Sequence, residues 1–135
     1  MNDFSWPVRV YYEDTDAGGV VYYANYLRFM ERARSEWLRS LGHEQDRLIQ
    51  EEKIIFAVRQ VTIDYHKPAR FNDMLKVNTT IQKKRGASLY FLQTIRNQKG
   101  ELLCQAVVKI ACLNAETMKP RPLPDTIFAG LRNVD

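Results

Sequence analysis

One long amphipathic segment constrains the fold of this chain more than any other feature. Between residues 23 and 41, apolar side chains recur every three or four positions, which is the spacing of a buried helix face. They stand at Tyr26, Met30, Ala33, Trp37 and Leu41. Arg and Glu fill much of the opposite side, which predicts a solvated second face. Gly42 follows directly and is expected to end the helix at its C′ position.

Strand patterns occupy most of the remaining chain. Runs rich in β-branched and aromatic residues cover 8–12, 54–65, 75–81, 89–95 and 102–113. In the second run, one strand face is predicted to hold Ile55, Ala57, Val61, Ile63 and Tyr65. Residues 43–52 are predicted as a short second helix or an ordered loop, and the proline-rich stretch 118–124 as irregular.

This order of elements predicts a single α+β domain over residues 1–135. A long central helix wrapped by a curved antiparallel sheet of about five strands is the hotdog fold, although the pattern alone also allows other α+β sandwiches. The run 102–113 is apolar on both of its faces. Because one helix covers only one face of a sheet, the second apolar face predicts another layer, most simply a second subunit.

Composition and charge argue against several classes of function. The chain is 45% hydrophobic and 27% charged, and it contains no apolar run of the roughly 18 to 20 residues that a membrane helix needs. The N-terminus lacks an apolar segment of signal-peptide length, so we expect a cytoplasmic protein. The net charge of +4 is dispersed, which argues against a nucleic-acid partner. Cys104 and Cys112 would lie about 26 Å apart in one strand, so reduced, unpaired thiols are expected.

The chemical groups concentrate just before the predicted helix. Glu13, Asp14 and Asp16 precede the pair Gly18 and Gly19. An acid beside the unpaired N–H groups of a helix N-terminus is an arrangement that can attack a carbonyl. A structural acidic turn is the alternative. A calcium loop that starts at Asp14 is disfavoured because Gly18 would fall at a ligand position, and we expect no metal site.

A longer run around these acids has a specific likeness to known enzymes. It reads Tyr12-Glu13-Asp14-Thr15-Asp16-Ala17-Gly18-Gly19-Val20-Val21-Tyr22-Tyr23, followed by Asn25-Tyr26 and Glu31-Arg32-Ala33-Arg34. These residues resemble the 4-hydroxybenzoyl-CoA thioesterase family. Within it the chain looks most like the YbgC branch, acyl-CoA thioesterases associated with the Tol-Pal system. That further likeness rests on Asp64-Tyr65, Pro68-Ala69-Arg70, Asp73, Arg85-Gly86 and Met118-Lys119-Pro120-Arg121.

The resemblance implies a hotdog subunit that dimerises through its sheet, often pairs again into a tetramer, and binds acyl-CoA where subunits meet. Asp16 stands where the family has its catalytic aspartate. Tyr23 stands where the backbone N–H at the start of the long helix holds the carbonyl oxygen. YbgC-like members often have His at that position, so an acid or base role of the Tyr23 side chain does not carry over. Gly18 and Gly19 would let the chain turn close to the substrate.

Thioester hydrolysis fits these residues chemically. Asp16 can deprotonate a water or attack the carbonyl to form a mixed anhydride, and the sequence leaves both routes open. The thiolate leaving group needs no dedicated acid. Lys84 and Arg85, in the run that begins at Lys83, and the nearby Ser88 are predicted to bind the phosphates of CoA, with a neighbouring subunit's site as one option. A solvated turn is the alternative for this run.

CoA enters as part of the substrate, and no cofactor is expected. An acyl carrier protein is a second candidate thioester donor. Two other functions remain open: a non-catalytic acyl-CoA or acyl-carrier-protein binding module, and a hotdog hydratase or dehydratase, which generally needs a histidine beside the acid. The acyl length is not predicted, and Leu27, Phe29, Met30 and Phe56 are either acyl-site liners or ordinary core.

Overall fold

The chain forms one antiparallel sheet around one long helix, in a computed structural model that describes residues 3–124. The five strands are β1 (Phe4–Arg9), β2 (Ile54–Tyr65), β3 (Met74–Arg85), β4 (Ser88–Arg96) and β5 (Leu102–Asn114). Their order across the sheet is β1-β3-β4-β5-β2, and every neighbouring pair is antiparallel. β2 is therefore an edge strand. This is the predicted α+β hotdog arrangement.

The long helix α1 (Asn25–Ser40) packs its apolar stripe onto one face of the sheet. Phe29, Met30 and Ala33 are fully buried there. Alternate residues of the strands meet them, among them Val77 of β3 and Ile95 of β4, because successive side chains of a strand point to opposite faces. A short helical turn α2 (Gln45–Arg47) and one turn of π-helix (Leu48–Glu52) follow. No helix within residues 3–124 is long and apolar enough to cross a membrane.

The helix ends at the predicted glycine. The N–H of Gly42 donates to the carbonyl oxygen of Arg39 at 2.9 Å, and the N–H of His43 donates to that of Leu38 at 3.3 Å. These two bonds form a Schellman motif. Gly42 has a φ of 94°, a conformation that an L side chain rarely adopts.

Both predicted boundaries around the acidic segment were displaced. β1 covers Phe4–Arg9 rather than residues 8–12, because Tyr12–Asp14 form one 3₁₀ turn instead of strand. The Asp14 carboxylate stabilises this turn by accepting the N–H of Tyr11 at 2.8 Å. α1 starts at Asn25 rather than near Tyr23, because the N–H of Asn25 closes a turn onto the carbonyl of Tyr22 at 2.8 Å.

The prediction that one face of β2 holds five apolar residues was wrong. The register against β5 shifts between Val58 and Gln60, which marks a β-bulge at Arg59. A bulge inserts one extra residue and reverses the faces beyond it. Phe56 and Val58 face α1, so Ile55 and Ala57 lie on the outer face of the sheet. Beyond the bulge, Val61, Ile63 and Tyr65 face the side of the sheet that α1 covers.

The chain itself covers part of the outer face of β5, for which the sequence predicted another layer such as a second subunit. Ala111 and Leu113 are already buried within one chain. The tail after β5 contributes to this burial, because Pro120 pairs with Leu113 and the N–H of Leu123 donates to the carbonyl of Gly86 at 3.2 Å. These apolar residues therefore do not by themselves require a second subunit.

Candidate active site

The predicted catalytic segment forms a small hairpin, residues 14–22, that leads into α1. Thr15 pairs with Val21, and the N–H of Asp16 donates to the carbonyl of Val20 at 2.9 Å. The turn closes where the N–H of Gly19 donates to the carbonyl of Asp16 at 3.0 Å. Gly19 has a φ of 79°, and glycine adopts this conformation without strain because it has no Cβ. We call this segment the Asp16 hairpin.

The carboxylate of Asp16 lies exposed at the tip of the hairpin. Its Oδ1 accepts the N–H of Gly18 at 2.9 Å, and its Oδ2 has no hydrogen-bond partner among residues 3–124. A Cβ at Gly18 would lie 3.3 Å from Oδ1, so glycine leaves room for the carboxylate. One oxygen is thereby fixed and the other is left to face a water or a substrate.

Asp14 has a structural role, because its hydrogen bonds hold the turns on either side of it. Its carboxylate holds the preceding 3₁₀ turn, and its carbonyl accepts two donors from the far side of the hairpin. These donors are the N–H of Tyr22 at 3.1 Å and Nδ2 of Asn25 at 2.9 Å. The base of the hairpin is thus tied to the start of α1. Glu13 is exposed and makes no hydrogen bond within the described chain.

Two backbone N–H groups at the entrance of the helix have no acceptor among the described residues. Tyr23 lies two residues before the first helical residue and Ala24 is the N-cap. Neither N–H donates to an acceptor in the part of the chain that the structure describes. The unpaired amide predicted at the helix start therefore lies in the turn that precedes the helix, and Ala24 provides a second one beside it.

A cluster of tyrosines that the sequence did not predict surrounds these amides. The hydroxyl of Tyr65 donates to the carbonyl of Tyr23 at 3.2 Å, and the Tyr65 ring meets the rings of Tyr23 and Tyr26 edge to face. Tyr26 is buried, and its hydroxyl accepts the N–H of Ala69 at 2.9 Å. Burial raises the pKa of Tyr26. The alternation of β2 placed Tyr65 on a strand face but gave no signal that its hydroxyl reaches the helix entrance.

The predicted CoA-binding residues lie at the other end of the sheet. β3 begins at Met74, close to Arg70, which pairs with the Asp16 hairpin. The strand ends eleven residues later at Arg85, about 36 Å away along an extended strand. Lys84 precedes that end, and Ser88 pairs with Arg85 across the turn. A single chain therefore does not bring these three residues to the hairpin.

Comparison with known proteins identifies the family. Residues 10–131 match the sequence model of the Thioesterase-like superfamily. The chain belongs to this family. It is 51% identical over 129 residues to the acyl-CoA thioester hydrolase YbgC of Escherichia coli O6:H1, with 96% of each chain covered. It is 46% identical over 134 residues to the acyl-CoA thioesterase YbgC of Haemophilus influenzae, with 98% and 97% covered.

A solved structure agrees with this assignment. The 1,4-dihydroxy-2-naphthoyl-CoA thioesterase from Synechocystis superposes with a TM-score of 0.89 at 27% identity, over 98% of each chain. The fold of this Thioesterase-like chain is therefore the hotdog fold of that enzyme, and the predicted thioesterase resemblance is confirmed.

In this thioesterase fold, a groove runs between α1 and the edge strand β2. Its lining residues are Leu27, Arg28, Glu31, Arg34, Val58, Val61 and Val108. Leu27 is 38% exposed and Val58 is 51% exposed, high values for apolar side chains in a packed fold. Of the four residues weighed as acyl-site liners, Phe29 and Met30 belong to the buried core. Leu27 lines this groove, and Phe56 lines its continuation toward Trp37.

A buried polar cluster that the sequence did not predict lies beneath this groove. Nε2 of Gln93 donates to the carbonyl of Met30 at 3.0 Å and to Oγ1 of Thr79 at 2.9 Å. Its Oε1 accepts Nη1 of Arg34 at 2.9 Å. Desolvation lowers the pKa of Arg34 to about 10, and the charge of Glu31 opposes that shift. Gln93 fits the usual alternation of side chains along a strand, so the sequence pattern does not indicate this role.

Proposed function

We propose that this chain hydrolyses the thioester bond of acyl-CoA, with Asp16 as the acting carboxylate and the amides of Tyr23 and Ala24 as the carbonyl-oxygen site. The observation that carries the proposal is the exposed carboxylate of Asp16, with Oδ2 unbonded, close to the amides of Tyr23 and Ala24, which have no acceptor within residues 3–124. The names of the relatives support the substrate class.

The hairpin geometry supports this division of roles. Asp16 pairs with Val20 in the hairpin, and Tyr23 follows three residues beyond Val20. Three residues advance at most about 10 Å along the chain, so Asp16 and Tyr23 lie within reach of one bound thioester group. A preorganised N–H aimed at the developing oxyanion stabilises such a transition state by about 3 kcal/mol.

Asp16 can act in this geometry by either of two routes. As a general base it takes a proton from a water that attacks the carbonyl carbon. As a nucleophile it attacks that carbon itself, expels CoA thiolate and leaves a mixed anhydride that water cleaves. In both routes the CoA thiolate departs without a dedicated acid, because its thiol resembles cysteine with a pKa of about 8.5.

Replacement of the acting carboxylate tests the proposal. We expect Asp16→Asn to lower kcat for acyl-CoA by about a hundredfold or more, the range of a lost general base. Glu13→Gln is the matched control, since it removes an exposed neighbouring acid and should leave kcat unchanged. Full activity in Asp16→Asn would contradict the role of Asp16, and an inactive wild type that still binds acyl-CoA would support a binding module instead.

A second variant tests the position of the carboxylate without removing it. In Gly18→Ala the new Cβ would lie 3.3 Å from Oδ1 of Asp16, tighter than ordinary van der Waals contact. We expect kcat to fall while the free energy of unfolding changes little, because Gly18 does not adopt a positive φ. Initial rates across an acetyl to palmitoyl series and an aromatic acyl-CoA would also define the acyl preference.

We further propose that Lys84, Arg85 and Ser88 bind CoA phosphates in the site of a neighbouring subunit. The support is their position at the opposite end of the sheet from the Asp16 hairpin, combined with their clustered charge. A dimer built on the edge strand β2 is the simplest assembly, because one edge of β2 is unpaired within residues 3–124 and β2 borders the groove that Leu27 and Val58 line. A tetramer and an acyl carrier protein as thioester donor stay predictions.

We propose a reducing compartment such as the cytoplasm for this protein. Cys104 and Cys112 are both buried, free thiols. Such thiols persist where disulfides are kept reduced. The predicted association with the Tol-Pal system is a separate question that pull-down from an envelope fraction would test.

A further inference from the structure

We infer that Tyr65 is a positioning residue that holds and polarises the peptide between Tyr23 and Ala24. This inference rests on the proposed function, because it concerns the amides assigned to the thioester oxygen. Tyr65 is the last residue of the edge strand β2 and lies 42 residues from Tyr23 in sequence. Its hydroxyl donates to the Tyr23 carbonyl at 3.2 Å.

The Tyr23 carbonyl accepts no backbone N–H from the part of the chain that the structure describes. In a regular helix start it would accept the N–H four residues on, which belongs to Leu27. The N–H of Leu27 instead donates to Ala24 at 3.2 Å, and no other backbone N–H within residues 3–124 reaches the Tyr23 oxygen. The hydroxyl of Tyr65 therefore satisfies a carbonyl that the local turn leaves open.

The same peptide unit carries the N–H of Ala24 on its opposite side, which has no acceptor within residues 3–124. In a trans peptide the C=O and the N–H point in opposite directions. A hydroxyl bonded to the Tyr23 oxygen consequently orients the Ala24 N–H away from Tyr65. A donor on the carbonyl also withdraws charge from the peptide nitrogen, which strengthens the N–H as a donor by cooperative polarisation. The preceding amide, that of Tyr23, is fixed by the same turn.

Tyr65 is itself held in place by its surroundings. Its ring lies 5.6 Å from the ring of Tyr26 and 6.1 Å from that of Tyr23, both in edge-to-face geometry. The Tyr26 ring is buried, and its hydroxyl is anchored by the N–H of Ala69. Ala69 also accepts the N–H of Val21 at 2.9 Å. The strand end, the loop at Ala69 and the hairpin thus form one connected support for the carbonyl-oxygen site.

The chain offers a matched pair of variants to test this role. Tyr65→Phe removes the hydroxyl and retains the ring contacts. Tyr22→Phe removes a hydroxyl that makes no hydrogen bond among the described residues, from a ring 5.0 Å from the Tyr23 ring. We expect Tyr65→Phe to lower kcat about two- to tenfold, the range for loss of one neutral hydrogen bond, with KM unchanged. Tyr22→Phe should match wild type in both constants.

A second measurement does not depend on catalysis. Amide NMR of the substrate-free protein should show the Ala24 ¹⁵N resonance shifted in Tyr65→Phe and unshifted in Tyr22→Phe, because only the first variant removes a donor from the Tyr23 carbonyl. An unchanged Ala24 resonance, or equal kcat in wild type and Tyr65→Phe, would overturn the inference. Failure of the proposed function has a different signature, namely a wild type without hydrolysis or a fully active Asp16→Asn.

Discussion

At the scale of single residues, the carboxamide of Gln93 joins the helix to the sheet inside the core. It is fully buried and uses both of its ends, toward Met30 and Thr79 on one side and Arg34 on the other. We expect Gln93→Leu to lower the free energy of unfolding by about 2 to 4 kcal/mol, because it leaves a partly buried guanidinium without its acceptor.

Urea unfolding followed by circular dichroism measures this loss. Thr79→Val is the matched control, since it removes one acceptor of Gln93 and keeps the Arg34 contact. The control should cost less than Gln93→Leu, about 1 kcal/mol. Equal losses would show that the Arg34 contact adds nothing.

The buried thiol of Cys104 makes stability depend on pH. Burial raises the pKa of Cys104 to about 12, from 9.0 for an ordinary thiol. The folded state therefore disfavours the thiolate. The free energy of unfolding has its full value below about pH 9, and it falls as the pH rises toward 12 because the thiol of the unfolded chain ionises first. A three-unit shift corresponds to about 4 kcal/mol at most.

Unfolding of wild type and Cys104→Ala at pH 7, 9, 10 and 11 tests this dependence. We expect the wild-type free energy of unfolding to fall faster above pH 9 than that of the variant. The tyrosines titrate in both proteins, so the difference between the two curves reports Cys104 together with its effect on the pKa values of Tyr26 and Tyr65. Parallel curves would show that Cys104 titrates alike in the folded and unfolded states.

At the scale of elements, features set by nearby residues could be predicted from the sequence, and features set by the pairing of distant strands could not. The apolar stripe predicted the main part of α1, and Gly42 predicted its C-terminal end, because each of these features depends on nearby residues. The start of α1 was missed by two residues, because a turn that the N–H of Asn25 closes onto the carbonyl of Tyr22 precedes the helix. The bulge at Arg59 was missed because it exists only in the register of β2 against β5. The hydroxyl of Tyr65 meets the Tyr23 carbonyl through a tertiary contact that no sequence spacing reveals.

The edge strand β2 gives a prediction about assembly. Val58 is 51% exposed on the side that faces the groove. If a second copy pairs along β2, Val58→Lys places an unpaired ammonium in that interface, so we expect the dimer to dissociate. Ile49→Lys is the control, because Ile49 is similarly exposed at 44% in the turn Leu48–Glu52. Sedimentation velocity distinguishes the outcomes, and a dimer that persists in Val58→Lys would place the interface elsewhere.

At the scale of the whole molecule, the separation of the two predicted binding regions makes the subunit assignment testable. Asp16→Asn lacks the acting carboxylate, and the double variant Lys84→Glu/Arg85→Glu lacks the phosphate-binding charges. When the two variants are co-expressed at equal levels, a site shared between subunits is restored only in the heterodimer. One of its two sites is intact, because it takes Asp16 from the double variant and Lys84 and Arg85 from Asp16→Asn. We expect about a quarter of the wild-type activity at low acyl-CoA, because about half of the dimers are mixed.

Each variant alone sets the baseline for this experiment. The double variant should raise KM for acyl-CoA far more than for a short thioester that lacks the nucleotide. No recovery in the mixture would show that both regions serve the same subunit or that Lys84 and Arg85 do not bind CoA. Equal effects on the two substrates would remove these residues from the phosphate site.

The hydrogen bonds of Asp14 close the Asp16 hairpin at its base. Residues 15–21 therefore leave and re-enter the fold at nearly one point, and their entropy cost is that of a small closed loop. Such a segment can be replaced without moving the elements on either side of it. A chimera that takes residues 15–21 from a relative would inherit that relative's reactive turn while β1 and α1 keep their places, so chemistry and scaffold can be exchanged separately.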